Sequence, residues 1–248
     1  MIWYFSPTGS SRRAAEALGE ETAALTTPEE RGRAPLPEKG GRFTLVFPVH
    51  GQRVPAPLRR WLAALPRTEA RAVLICTYGS VSAGGVLAEA AGLVRRRGMT
   101  VVAAAELPGP HSYAVARTKR DLTGGGETDL AGLRVFYEQA KERSTPISIT
   151  PRWDPARLLP DRLAPVRLAV RPPRPDLSLC RGCGACQAVC PVDGGDCIRC
   201  AACVKACPAG ARRLDFLTPI PAWFLSKTIK KRQPRFSPAP KRDDVVLP

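Results

Sequence analysis

Eight of the nine cysteines in this chain fall into two copies of one spacing pattern. The pattern is Cys-x2-Cys-x2-Cys-x3-Cys-Pro, and it is formed first by Cys180, Cys183, Cys186 and Cys190 and then by Cys197, Cys200, Cys203 and Cys207. Three thiolates spaced in this way let one tight loop wrap three corners of a cubane, while the fourth thiolate must come from elsewhere. The repeat therefore predicts two 4Fe-4S clusters.

The ligand sets are expected to be crossed, because in two-cluster folds each half lends the other its fourth cysteine. The first cluster would be bound by Cys180, Cys183, Cys186 and Cys207, and the second by Cys197, Cys200, Cys203 and Cys190. Pro191 and Pro208 would end the two short ligand-bearing helices, because proline cannot continue a helix.

Structural zinc and a disulfide framework are the competing interpretations of these cysteines. Zinc usually takes four ligands as two separated pairs, and it does not require a third evenly spaced cysteine and a trailing Cys-Pro. The chain opens without a basic n-region or a cleavable signal, so we expect a reducing, cytoplasmic location in which disulfides are rare. Cys76 ends an apolar run and is interpreted as a small buried hydrophobe.

The formal net charge of +16 on 248 residues narrows the range of partners. A strongly positive surface favours acidic partners, and the candidates are an acidic redox protein and an anionic membrane surface. A nucleic-acid role would depend on charge alone, because no stacking-aromatic motif accompanies the arginines, so no nucleic-acid partner is expected. The sequence has no apolar run of about eighteen residues that could span a bilayer.

Residues 1–145 alternate apolar runs with amphipathic stretches. The predicted strands are 1–5, 22–26, 43–49, 73–78 and 100–107, and the predicted helices are 12–19, 57–65, 85–97 and 127–143. This alternation predicts an α/β domain with a parallel sheet covered on both sides.

Three further segments follow this domain. Residues 146–176 are rich in proline and arginine and are interpreted as a linker or a surface-hugging arm. Residues 177–213 form a small cluster domain that depends on its metal for folding.

Residues 214–248 form a basic tail in which Trp223 and Phe224 precede several lysines. Two interpretations stand for this tail: a membrane-surface anchor, or aromatics that pack back onto the large domain.

A second site is indicated directly after the first strand, at Ser6-Pro7-Thr8-Gly9-Ser10-Ser11. Hydroxyls and free amides at a helix N-terminus are suited to a phosphate group. The loop has no lysine and lacks the Gly-x4-Gly-Lys-[Ser/Thr] form, so hydrolysis of nucleoside triphosphates is not expected.

The opening residues 1–12 resemble the start of the flavodoxin-ferredoxin fusion family, in which a flavodoxin-like domain precedes a bacterial two-cluster ferredoxin. Three other segments lie where that family builds its flavin loops, namely 47–49, 55–61 and 76–85. The resemblance covers nearly all of residues 1–213. It implies a flavodoxin-like doubly wound parallel sheet followed by a small α+β ferredoxin-like domain.

The resemblance also implies FMN as a cofactor. Its phosphate would be bound by Ser6, Thr8, Gly9, Ser10 and Ser11. Its ring system would lie between the loops 49–54 and 77–84, which contain Val49, His50, Gly51, Thr77, Tyr78, Gly79 and Gly84. One departure is that the family usually has aromatic residues after Val49, where this chain reads His-Gly-Gln-Arg. Tyr78 could replace the missing stacking partner, and Arg53 could stabilise a reduced flavin by its charge.

These observations favour an intracellular electron-transfer protein that carries electrons between two 4Fe-4S clusters and FMN. The alternative is a flavin-dependent oxidoreductase that acts on a quinone or a porphyrinogen-like substrate and uses the clusters as an electron wire. No acid-base dyad is visible in the sequence, so the question of an enzymatic activity stays open.

Overall fold

The fold is built on one sheet of six strands. The computed structural model describes residues 1–116, 119–152, 159–192 and 196–238. Its strands are β1 (Ile2–Tyr4), β2 (Thr22–Ala24), β3 (Arg42–Pro48), β4 (Arg71–Tyr78), β5 (Thr100–Pro108) and β6 (Arg235–Ser237). Their order is β2-β1-β3-β4-β5-β6. The first five are parallel, whereas β6 runs antiparallel to β5.

Helices cover both faces of this sheet. In the described residues they are α1 (Ser10–Glu16), α2 (Pro28–Arg33), α3 (Ala56–Ala64), α4 (Val86–Arg95), α5 (Leu130–Lys141), α6 (Pro165–Ala169), α7 (Ala185–Ala188), α8 (Ala202–Lys205) and α9 (Pro219–Thr228). Apolar residues of α3 and α4 pack on one face, and those of α1 and α5 pack on the other. The prediction of an α/β domain with a mainly parallel sheet is therefore confirmed.

Helix α2 was not predicted, although the sequence carries a signal for it. Thr27 accepts a hydrogen bond from the amide of Glu30, and the Glu30 carboxylate accepts one from the amide of Thr27. This reciprocal pair is a capping box, and Pro28 at the first helical position is compatible with it.

Strand β6 was also not predicted, because it lies in the basic tail. The Phe236 ring stacks on Phe136 of α5 with ring centroids 5.0 Å apart. The tail thus adds an antiparallel edge to the sheet, which local periodicity cannot indicate for three residues. Residues 239–248 of the tail lie outside the described residues.

We call the α/β domain of residues 1–145 the sheet domain. Residues 159–176 lie on its surface and are called the arm. They contain a short 3-10 helix (Asp161–Leu163) and α6, and Val170 is buried. Asp161 forms ion pairs with Arg53, at 3.1 Å, and with Arg59. Residues 153–158, which belong to the same predicted linker, lie outside the described residues.

The cysteine-rich segment 177–213 forms a small lobe, called the cluster lobe below. Its described residues contain α7 and α8, and Arg212 forms an isolated bridge with Pro175 of the arm. The described residues of the lobe contain none of the strands that were expected for an α+β domain. Among the helices of the described chain, none is long and apolar enough to cross a bilayer.

Candidate functional site

The cluster lobe docks on the carboxyl edge of the sheet. Four of its contacts with the sheet domain are hydrogen bonds: Lys205 Nζ to Thr8 O (2.8 Å), Tyr113 Oη to Arg199 O (2.6 Å), Arg31 Nη2 to Pro191 O (2.9 Å), and the ring of His50 to Ile198 O. Thr8 follows β1, His50 follows β3 and Tyr113 follows β5. The lobe therefore lies where ligands bind in open parallel sheets.

None of the nine cysteines forms a disulfide. Burial, together with the nearby thiols of Cys203, Cys197 and Cys190, raises the pKa of Cys200 to about 12. Burial also raises the pKa of Cys203 although Arg212 lowers it, and the thiols of Cys197, Cys190 and Cys186 add to the increase. Cys190 and Cys186 of the first half therefore both lie near Cys203 of the second half.

The two halves of the cysteine repeat share an unusual backbone. Gly182 and Gly184 flank Cys183 with φ angles of +66° and +73°, and Arg199 and Ala201 flank Cys200 with φ angles of +62° and +66°. These left-handed residues recur at matching positions of the repeat. Glycine adopts this conformation freely, whereas Arg199 and Ala201 require the surrounding structure to hold them there.

Two adjoining cavities lie at the carboxyl edge of the sheet, the smaller one between the sheet and the lobe and the larger one between the sheet, the arm and the tail. The smaller one, of about 50 Å³, is lined by Thr8 and Ser10 of the first loop, by Thr77 and by Cys200 of the lobe. The larger one, of about 370 Å³, includes Gly51 and His111 in its wall. Both cavities are lined by Val49, His50, Tyr78, Gly79 and Ser112.

Seven of the twelve binding residues predicted from the sequence line the smaller cavity. An eighth, Gly51, lines the larger cavity. The seven are Thr8, Ser10, Val49, His50, Thr77, Tyr78 and Gly79. Ser6, Gly9, Ser11 and Gly84 line neither cavity.

Each of these four residues has an identifiable role beside the cavities. Ser6 Oγ accepts a hydrogen bond from the Arg12 amide at 2.9 Å, and Ser11 Oγ is hydrogen-bonded to Thr77 Oγ1 at 2.8 Å. Gly9, with φ of +96°, provides the left-handed turn before α1. Gly84 lies against the Gln52 side chain, with which any added Cβ would collide.

The first loop retains hydrogen-bond donors. Within the described residues, the amides of Thr8, Gly9, Ser10 and Ser11 donate to no acceptor. A row of such amides at the start of a helix can bind an anionic group. Lys205 brings a positive charge from the cluster lobe to the same loop.

Both histidines at the cavities are neutral near pH 7. Burial lowers the pKa of His50 to about 4, and burial together with the proximity of His50 lowers the pKa of His111 to about 4. His111 Nδ1 accepts a hydrogen bond from the Tyr113 amide, so the proton of its neutral ring lies on Nε2. Neutral rings can donate or accept hydrogen bonds here without adding charge.

Arg53 does not line either of these cavities. Its side chain is 7% exposed, and its guanidinium contacts Asp161 and the carbonyl of Leu159 in the arm. The prediction that its charge stabilises a flavin therefore finds no support in this geometry.

Sequence reasoning missed the outer wall of the larger cavity, which comes from the arm and the tail. These residues are Pro165, Val166, Ala169, Val170, Phe216, Pro221, Phe224 and Leu225. It also missed Lys205 and His111. The position of His111 just after β5 was a usable signal, because the loops after parallel strands build such sites.

Comparison with known protein families identifies the cluster lobe. Two models, each described as a 4Fe-4S binding domain, match residues 173–194 and 195–210. The lobe is a pair of ferredoxin-type 4Fe-4S domains. This match confirms the iron-sulfur interpretation of the cysteine repeat over zinc and disulfides, and it indicates an electron-transfer role. Neither the curated proteins nor the solved structures gave a significant match to this chain.

Proposed function

We propose that this chain is an electron-transfer protein in which two 4Fe-4S clusters exchange electrons with an FMN bound at the carboxyl edge of the sheet. The observation that carries the proposal is that Cys200 of the lobe lines the same cavity as Thr8 and Ser10. A cluster ligand and the candidate cofactor loop therefore adjoin. Such proximity allows direct electron exchange without a mobile intermediary.

The proposed ligand sets are crossed. Cys180, Cys183, Cys186 and Cys207 would bind one cluster, and Cys197, Cys200, Cys203 and Cys190 would bind the other. The position of Cys190 beside Cys200 and Cys203 supports the second set. Because Cys200 lines the cavity, the second cluster is the one that would exchange electrons with the cofactor.

Three features support FMN as that cofactor. The order β2-β1-β3-β4-β5 is that of flavodoxin-like sheets, which bind FMN where the strand order reverses between β1 and β3. The free amides of Thr8–Ser11 and the charge of Lys205 suit its phosphate. The volume of the larger cavity, about 370 Å³, lies in the range of small-molecule sites.

When bound, FMN would supply a junction between two-electron and one-electron chemistry. The residues of this chain would position it and restrict its contact with water. Tyr78 and Gly79 line both cavities, and the neutral ring of His111 could donate a hydrogen bond from Nε2. The arm and α9 close the outer side.

The second candidate function is a flavin-dependent oxidoreductase acting on a quinone or a porphyrinogen-like substrate. It is favoured by the outer wall of the larger cavity, where Val166, Val170 and Phe216 offer apolar contacts to a planar substrate. Stoichiometric electron transfer without turnover of such compounds would favour the carrier over the enzyme. An acidic redox protein in the cytoplasm remains the proposed partner, in keeping with the charge of +16.

The first experiment measures cofactor content after anaerobic purification. We expect about eight irons and eight sulfides per chain, together with one FMN. Iron at about half that value would contradict the two-cluster assignment. Full iron without flavin in freshly isolated protein would contradict the FMN assignment alone.

The second experiment identifies the ligands of each cluster by alkylation of exposed thiols and mass spectrometry under anaerobic conditions. In Cys190→Ala, we expect Cys197, Cys200 and Cys203 to become reactive while Cys180, Cys183 and Cys186 stay protected. The matched variant Cys207→Ala should give the opposite pattern. Reversed patterns would show that each half binds its own cluster.

A further inference from the structure

Helix α9 directs large apolar side chains outward. Ile220 is 70% exposed, Trp223 49% and Phe224 51%, and Leu217 just before the helix is 43% exposed. Residues 220, 223 and 224 share one side of a helix because they are three and four positions apart. The opposite side contacts the protein, where Ala222 is buried and Leu225 lines the larger cavity.

Exposed cations follow this apolar side directly. Lys227 lies on the same side in the last turn of α9, and Lys230 and Lys231 come just after it. The sequence has no aspartate or glutamate from position 216 to position 242. We call Leu217, Ile220, Trp223, Phe224, Lys227, Lys230 and Lys231 the α9 surface.

The α9 surface lies on an element that is anchored from behind. Ile229 is buried, and its amide donates to Leu225 O at 2.9 Å. The amide of Lys230 and the guanidinium of Arg232 both donate to Ser80 O, and β6 then pairs with the sheet. The exposed aromatics are therefore presented by a docked helix and do not belong to a fraying end.

We propose that the α9 surface binds an anionic lipid bilayer, with the helix lying in the plane of the interface. Apolar and aromatic side chains on one side with lysines beside them are typical of interfacial helices. Tryptophan is favoured at the level of the headgroups, and the lysines are attracted to anionic lipids. An anionic bilayer would bury the apolar side chains of the α9 surface and attract its lysines at the same time.

Pro221, Phe224 and Leu225 of α9 also line the larger cavity. Phe224, which is 51% exposed, therefore lies at the boundary between this cavity and the exposed side of the helix. The membrane proposal does not depend on FMN, because it concerns the outer side of the helix.

The test is co-sedimentation of the anaerobically purified holo-protein with lipid vesicles. We expect strong binding to vesicles of phosphatidylcholine with about a third phosphatidylglycerol, and weak binding to pure phosphatidylcholine. High salt should weaken the binding without abolishing it, because the apolar contribution is not screened. The emission of the tryptophans should shift to shorter wavelength on binding.

Two variants separate the apolar contribution of the α9 surface from the contribution of its lysines. The double variant Ile220→Gln, Trp223→Gln should lose roughly tenfold in vesicle affinity through lost apolar burial. The triple variant Lys227→Gln, Lys230→Gln, Lys231→Gln should lose about a hundredfold on anionic vesicles. Unchanged cluster absorbance and circular dichroism would verify that these variants fold.

Control variants replace an exposed apolar residue and three exposed cations by glutamine elsewhere on the protein. Leu36→Gln alters a leucine that is 56% exposed on another part of the sheet domain, and Arg13→Gln, Arg60→Gln, Arg174→Gln removes three exposed positive charges. We expect both controls to bind like the original protein. Equal losses in controls and α9 variants, or no binding to anionic vesicles, would overturn the proposal. Binding to acidic polypeptide through α9 in the absence of vesicle binding would overturn it in favour of a protein partner.

Discussion

At the residue scale, Lys205 links the cluster lobe to the first loop of the sheet domain. Its ammonium donates to Thr8 O at 2.8 Å, beside amides that have no acceptor in the described residues. Because Lys205 is exposed, solvent screens this bond, and it contributes on the order of 1 kcal/mol or less. The residue could therefore couple cofactor binding to lobe docking.

We expect Lys205→Gln to weaken the binding of FMN about tenfold or more, because the phosphate would lose a cation. The measurement is a fluorescence titration of flavin-depleted protein whose clusters are intact. Lys39→Gln is the control, because Lys39 pairs with Glu69 at 3.7 Å on an exposed surface. Equal affinity in both variants would restrict Lys205 to a role in lobe docking.

At the scale of elements, one carboxylate of the arm, that of Asp161, pairs with Arg59 of α3 and with Arg53 of the loop before α3. Burial raises the pKa of Asp161, but the guanidiniums of Arg59 and Arg53 lower it more, so the net direction is down. Arg53 has a side chain that is only 7% exposed. Removing the carboxylate would leave this buried charge without one of its partners.

Asp161→Asn should lower the free energy of unfolding by about 2 kcal/mol, between the values for exposed and buried ion pairs. The measurement is the urea midpoint of the anaerobic holo-protein. Asp121→Asn serves as the control, because Asp121 is exposed and its hydrogen bonds within the described residues are to Thr123 of the same turn. A loss as small as in that control would show that the arm is held by apolar packing instead.

At the scale of the whole molecule, the two parts of the chain differ in what holds them together. The sheet domain has two extensive apolar cores, one on each face of its sheet. The cluster lobe buries few apolar side chains, chiefly Ile198, Ala201, Ala202 and Ala211. Small lobes with so little core depend on their metal.

Removal of iron with a chelator should therefore unfold the lobe and leave the sheet domain folded. Hydrogen exchange would detect this as lost protection at residues 177–213 and retained protection in β3 and β4. Loss of protection in all strands at once would mean that the two parts unfold as one cooperative unit.

The sequence by itself determined the cysteine chemistry and the main sheet. Thiolate spacing is set within a few residues of each cysteine, and the buried parallel strands contain continuous apolar runs such as residues 72–76 of β4. The capping box of α2, formed by Thr27 and Glu30, is a local signal of the same kind and could have predicted that helix. Each of these signals lies within a short stretch of chain.

Only the tertiary structure decided the walls of the cavities and the neighbours of each loop. Lys205 meets Thr8 across 197 positions of sequence, and β6 pairs with a strand far from it in the chain. The apolar side chains of α9 divide between the cavity and the exterior, which helical spacing alone cannot tell apart. The physical reason is that propensity and periodicity report local geometry, whereas docking depends on the shape and charge of distant surfaces.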